Sequence, residues 1–322
     1  MLNVFITTDV EIWPDSWDQL GPRDFREVFR RYIYGPTPRG DYGLPFQLRL
    51  LREHGLKGTF FVEPLFAEYF GNAALAEIVD LIRDGGQEVQ LHMHTEWVDK
   101  SSTPILPERA GRHLHHFDED EQSTLIGIGL ENLHDCGVSD VCAFRAGNYG
   151  ADVRTLRALR RHGIRYDSSY NYPYLGNTCD LQRQEPLYQP QGWEGLCELP
   201  INFFEDYPGH FRHTQITACS FGELSSMMSQ AERRGWFSFV LVSHSFEFMN
   251  AAKTRANPVV VRRFEKLCRF LAEHPERFRT RFFGELEETE IPTVLPRVPL
   301  RSRLWRTAWR YGEQALSRLL YE

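Results

Sequence analysis

No stretch of the 322 residues stays apolar for the eighteen or so positions that a membrane-spanning helix needs, which excludes a helical integral membrane protein. The six cysteines, Cys136, Cys142, Cys179, Cys197, Cys219 and Cys268, contain no Cys-x-x-Cys pair and no regular spacing. A chain this long does not need disulfides to hold together, so they read as scattered reduced thiols. Positive charge is in deficit: 37 Lys and Arg face 44 Asp and Glu, a net charge of −7, and no broad basic field invites nucleic acid. The opening MLNVFITTDVE lacks a basic leader and a small-residue cleavage site, and acids that look chemically useful stand there by residue 9. It reads as part of the folded body, and the protein as cytoplasmic. No glycine-rich dinucleotide fingerprint follows a strand-like run.

What is present in quantity is aromatic: 7 Trp, 13 Tyr and 23 Phe, enough for a large core and equally for a cleft that stacks on sugar rings. Apolar residues at 42% and charged residues at 25% describe an ordinary globular protein. The length suits a single α/β barrel with insertions.

Strand-like and helix-like segments alternate. Runs rich in β-branched and aromatic residues predict strands over 2–8, 57–62, 88–92, 141–145, 164–168, 196–201 and 237–244. Helical patterns over 44–54, 73–83, 119–136, 152–162 and 221–234 each end at glycine, and a sixth, over 259–274, ends before Pro275. The expected fold is an α/β, distorted (β/α) barrel of about seven parallel strands over residues 1–295, with a separate C-terminal helical tail at 296–322. Insertions at 13–43 and 97–118 follow strand ends and should cover the mouth, where barrels of this kind place their chemistry.

The strand ends carry polar groups. The first ends in Asp9 and Glu11, the third in His92, His94 and Glu96, both at the period of two that points alternate side chains to one face. The fourth ends in Arg145 and the last in His244. Each alone reads more simply as a solvated acid, a polar loop histidine or a salt-bridge partner. Their joint placement at four strand ends points instead to an active site. A hydrolytic metal centre takes about three protein ligands and an open position. Glu11, His92 and one of His94 or Glu96 meet that count.

Six motifs in order over about residues 2–248, ITTDVE, KGTFFV, GQEVQLHMHTEW, AFRAGNYG, LCELPI and VLVSHSFEF, resemble those of the polysaccharide deacetylase family, the carbohydrate esterase-type NodB-homology domain. The resemblance implies a distorted barrel that removes acetyl groups from amino sugars with a divalent metal, zinc first, with cobalt, nickel or manganese as alternatives. It implies Asp9 as base, Glu11 and His92 as ligands, Arg145 as the partner of Asp9 and His244 as acid. It also implies an oxyanion donor on the backbone near Tyr149, and Asp167 as a partner for His244. This chain separates the two acids of the first motif by Val10, and puts Glu96 where the usual motif has its second histidine. Alignment therefore favours Glu96 as third ligand, while softness toward zinc favours His94.

With no export signal in the reading, the expected substrate is a nucleotide- or lipid-linked N-acetyl sugar of cell-surface polysaccharide or lipopolysaccharide assembly. A non-catalytic carbohydrate-binding protein on the same fold, or a hydrolase of another small C–N substrate, are the alternatives. In the tail, Leu304, Trp305, Ala308, Trp309, Leu316, Leu319 and Leu320 recur at helical spacing among arginines. Such a helix could lie on an anionic membrane surface, making the protein peripheral to the inner membrane. The simpler expectation is that it packs on the barrel or on a second subunit. His113, His115 and His116 read as a solvated loop, and Trp193, Tyr170 and Tyr172 as core or as sugar-stacking rings.

Overall fold

A computed structural model describes residues 1–17, 21–100 and 104–321. The chain opens with β1 (Leu2–Val10), and the first insertion holds α1 (Pro22–Phe29) and a two-residue ribbon of β2 (Pro36–Thr37) and β3 (Gly40–Asp41). Then come α2 (Leu44–Glu53), β4 (Gly58–Val62), the single turn α3 (Ala67–Phe70), α4 (Ala73–Asp84) and β5 (Glu88–Met93). The second insertion leads to α5 (Glu119–Asp135), β6 (Ala143–Ala146), α6 (Val153–Arg161) and β7 (Tyr166–Asp167). A region of short strands follows: β8 (Gln191–Trp193), β9 (Leu196–Glu198), β10 (Phe203–Tyr207) and β11 (His210–His213). The chain closes with α7 (Phe221–Arg233), β12 (Ser238–His244), α8 (Pro258–Ala272), β13 (Phe278–Thr280), β14 (Leu300–Arg301) and α9 (Leu304–Tyr321). No helix among the described residues is long and apolar enough to cross a membrane.

All seven expected strands form, in one curled sheet of order β12-β1-β4-β5-β6-β7-β9-β8. Every pairing along it is parallel except the last, where β8 turns back on β9. The helices that end at glycine pack outside. Strand pairing does not close the ring. The outer edge of β12 is instead satisfied by residues of three separate loops: Asn202 Oδ1 accepts from Val240 N at 2.5 Å, Thr214 O from Val242 N at 2.9 Å, and Gln189 Oε1 from Phe237 N at 2.7 Å. Backbone groups that would be left bare at an open edge are thus paired.

Strand alternation sorts the interior into layers. Phe5 of β1 joins Phe61, Tyr166, Val240, Phe283 and Leu286 in an apolar plug at the amino-terminal end of the barrel. Two residues on, Thr7 is buried with its hydroxyl donated to Leu241 O, and two further on is Asp9. Apolar layers fill the bottom and polar ones the mouth.

α9 packs on the barrel, as the simpler reading of the tail expects, but through its other face. Arg310 is wholly buried and donates to Asp206 Oδ2 at 2.6 Å and Glu223 Oε1 at 3.1 Å, while Thr307 donates to Asp206 O at 2.8 Å. The apolar stripe faces out. Leu320's side chain and residue 322 lie outside what the structure describes.

Candidate active site

A cavity of 290 Å³ opens at the carboxyl ends of β1, β5, β6 and β12, lined in part by Asp9, Glu11, His92, His94, Tyr149 and His244. Parallel register brings these together: Asp9 stands opposite His244 on the neighbouring strand, and His92 opposite Arg145.

Asp9 is buried, and Arg145 Nη1 donates to its Oδ1 at 2.6 Å. The rest of the Arg145 fork is spent on Thr7 Oγ1 (2.8 Å) and on the carbonyl and hydroxyl of Ser168 (3.1 Å each), with its Cζ 4.4 Å from the Phe61 ring centroid. This leaves Asp9 Oδ2 facing the cavity, 4.0 Å from His244 Nε2.

Glu11, His92 and His94 converge, one donor atom from each lying within 4.8 Å of the others. The His92 Nδ1 sits 2.7 Å from Arg145 O, and a carbonyl only accepts, so Nδ1 carries the proton and Nε2 presents its lone pair. That Nε2 is buried without a hydrogen-bond partner, 3.8 Å from Glu11 Oε2. His94 Nε2 lies against the same Glu11 oxygen, and His94 Nδ1 donates to Glu96 Oε2 at 3.2 Å. Glu96, where the family motif points for its third ligand, therefore sits behind His94, its other oxygen accepting from Asn148 Nδ2 at 2.8 Å. Burial would push the Glu11 carboxyl up, but the charges of His94 and His244 hold it well below the usual range. Burial likewise opposes a charged His94, and Glu11 with Glu96 raises it well above an ordinary imidazole. An anion between imidazoles that favours a proton here favours a divalent cation for the same reason.

His244 turns Nε2 to the cavity, 3.3 Å from Glu11 Oε1, and donates from Nδ1 to Glu247 Oε1 at 2.9 Å. Burial disfavours the imidazolium, yet Glu247 and Glu11 raise it to about 9. Asp167, the partner expected from sequence, does not reach His244. It is buried on the face of β7 opposite to that of Tyr166, accepts from Ser169 Oγ at 2.6 Å, and lies beside Glu198. Glu247 stands in its place, three residues past the histidine.

Two further residues were not read from sequence. Buried Glu63, just past β4, accepts from the backbone N–H groups of His94 and of Leu65, and so pins the chain that carries His94. Gly147 gives His94 its room: a Cβ there would stand 2.6 Å from His94 Cγ. The next two residues, Asn148 and Tyr149, both adopt left-handed backbone, at φ 53° and 59°, a strained pair held at the cavity wall.

The aromatic lining is Trp13, Tyr149 and Tyr174. Trp13 meets the His94 ring edge-on at 4.6 Å. Tyr170 is core, Tyr172 stacks on Phe203, and Trp193 lies under Arg183, all away from the cavity. His113 and His115 are half-buried and His116 is exposed, and the three rings meet tilted or edge-on with centroids 4.8–5.2 Å apart.

No protein-family model matches the chain, and no curated protein matches it. Solved structures do. A candidate polysaccharide deacetylase from Mycobacterium smegmatis superposes with a TM-score of 0.52 at 20% identity, over 89% of this chain and 94% of that one. A 4-alpha-glucanotransferase from Thermococcus litoralis gives 0.50 at 14% identity, over 92% of this chain and 40% of that one. A family 4 carbohydrate esterase from Streptomyces lividans, solved with acetate, gives 0.44 at 12% identity, over 92% and 97%. At such identities the likeness speaks to architecture, and this chain has the curled (β/α) barrel fold that the Mycobacterium smegmatis protein has.

Proposed function

We propose that the chain is a metal-dependent deacetylase of the polysaccharide deacetylase family, hydrolysing the N-acetyl group of an amino sugar. One fold hosts many chemistries, so the weight falls on the site. The observation that carries the reading is the orphaned buried His92 Nε2, aimed with Glu11 and His94 into the cavity that also holds Asp9 and His244. Two imidazoles and a carboxylate are a donor set suited to catalytic zinc, and both histidines already carry the hydrogen bonds that fix a metal-binding tautomer. Glu11, His92 and His94 would hold the ion, with Glu96 orienting His94. When bound, the ion supplies Lewis acidity toward a water and the amide carbonyl.

The chain's own groups do the rest. Asp9, its Oδ1 tied to Arg145, is left with Oδ2 to take the proton of the attacking water. The backbone N–H at Tyr149 is assigned to the oxyanion. His244 delivers a proton from Nε2 to the departing amine, while Glu247 at Nδ1 stabilises the imidazolium. Trp13, Tyr149 and Tyr174 offer ring faces to a sugar. The proposed substrate is a nucleotide- or lipid-linked N-acetyl saccharide of cell-surface polysaccharide or lipopolysaccharide assembly.

The test is acetate release from a panel of N-acetyl sugars by zinc-loaded protein. Asp9→Asn and His244→Ala should each lose roughly a thousandfold or more in turnover while retaining metal. Near-normal turnover in either variant would overturn these roles.

A further inference from the structure

Ten large apolar side chains are exposed among the described residues, and six of them lie on α9: Leu304, Trp305, Trp309, Tyr311, Leu316 and Leu319. At about 100° per residue they fall, with Ala308, Gly312 and Ala315, within one arc of roughly 160°. Exposure is 61% for Trp305, 65% for Trp309 and 83% for Leu319. The arrangement is the reverse of an ordinary surface helix. The polar face is used up against the barrel, by Arg310 on Asp206 and Glu223, by Arg263 on Glu313 at 3.1 Å, and by Asn257 on Ser317 at 2.8 Å. The apolar face is held outward by those same bonds. A contiguous exposed apolar face of this size marks a docking surface.

Two observations identify the occupant. The first is charge: of the six arginines from Arg297 to Arg318, Arg297, Arg301 and Arg310 are paired with Glu185, Glu205 and Asp206, and Glu313 is the one acid of the stretch. That acid is engaged by Arg263 and by Trp309 Nε1 at 3.0 Å, while Arg303 and Arg318 stand exposed near the two ends of the face. The second is position. α9 rests on the first turn of α7, through Gly222 O and Glu223, and on Asn257, the N-cap of α8. In a (β/α) barrel the helix N-termini lie at the carboxyl ends of the strands, the end that carries the cavity.

We infer that the outward face of α9 is a docking surface for an anionic lipid bilayer, seating the helix in the headgroup plane with the cavity mouth on the membrane side. Tryptophans enter the interface, and the arginines at the ends of the face meet the lipid phosphates. The docking face does not depend on the chemistry of the cavity.

The experiment is co-sedimentation of the full-length protein with vesicles of phosphatidylcholine alone or mixed with phosphatidylglycerol. The wild type should pellet with the mixed vesicles and be released by high salt. The variant Trp305→Ser/Trp309→Ser/Leu316→Ser should bind them at least about tenfold more weakly, because most of the buried apolar area is gone. All three side chains are exposed, so its thermal melt should match the wild type, as should its acetate release from a soluble N-acetyl sugar. Arg303→Glu/Arg318→Glu should weaken binding to the mixed vesicles and leave any binding to phosphatidylcholine unchanged. Failure of the wild type to pellet, equal pelleting of wild type and triple variant, or a dimer in light scattering that the triple substitution dissolves would overturn the inference.

Discussion

Gly147 shows how narrowly single residues set the site. Its α-hydrogen faces the His94 ring, and Gly147→Ala would drive a methyl to 2.6 Å from His94 Cγ and from Met93 O. The ring must rotate or the strand end must shift, so zinc affinity should drop by about tenfold or more, the scale of a disturbed ligand orientation. Unchanged affinity by calorimetric titration would show that the turn yields instead. His213 tests the pH behaviour of the same region. It is buried with Nε2 2.5 Å from Gln215 Oε1, and burial depresses its imidazole to about 4. The unfolded chain protonates it near 6.5, so between those values the unfolded state binds more protons. Stability should therefore fall as pH drops from about 6.5 to about 4, by up to ~3 kcal/mol, and gain nothing from His213 below that. Urea titrations of His213→Gln should lose this slope, and an unchanged slope would assign it elsewhere. At this scale the sequence was legible where a residue's strand position sufficed, as for Asp9, Glu11, His92 and His94. It was silent on Glu63 and Gly147, whose roles come from where two separate strand ends meet. Glu247 was within reach, since VSHSFEF places an acid three residues from the histidine.

Among the elements, α9 separates what periodicity tells from what it cannot. The repeat of apolar residues announced a helix, but not that its polar side would pack on the barrel. The cause is Asp206, about a hundred residues earlier in the chain, whose carboxylate sits under Arg310 with Glu223. Arg212 also pairs with Asp206 at 2.9 Å, but Glu223 has its ion pair with Arg310, and leaving such a buried acid without its cation typically costs about 3–5 kcal/mol. Arg310→Met should destabilise the protein by that order in chemical denaturation and release α9, exposing the segment from residue 296 to limited proteolysis. Wild-type stability with a protease-resistant tail would contradict the anchoring role. The β10–β11 hairpin, which positions Asp206, also escaped the reading of strands, although Pro208-Gly209 is a turn signal and Gly209 has φ +81°.

For the molecule as a whole, alternating strands and glycine-closed helices were enough to specify a parallel barrel, because each element carried its own local signals. Closure was not legible. It rests on Gln189, Asn202 and Thr214, ordinary loop residues by composition, which finish the hydrogen bonding of β12 where strand pairing stops. That closure holds β12, and His244 at its end, in register beside β1 and Asp9, so the barrel and the site form together. The most direct measurement of the central claim is calorimetric titration of zinc into metal-free protein. One tight site per chain is expected in the wild type, lost in Glu11→Ala, His92→Ala and His94→Ala, and retained but weakened about 10–100-fold in Glu96→Gln. A tight site that survives loss of Glu11, His92 or His94, or none in the wild type, would contradict it.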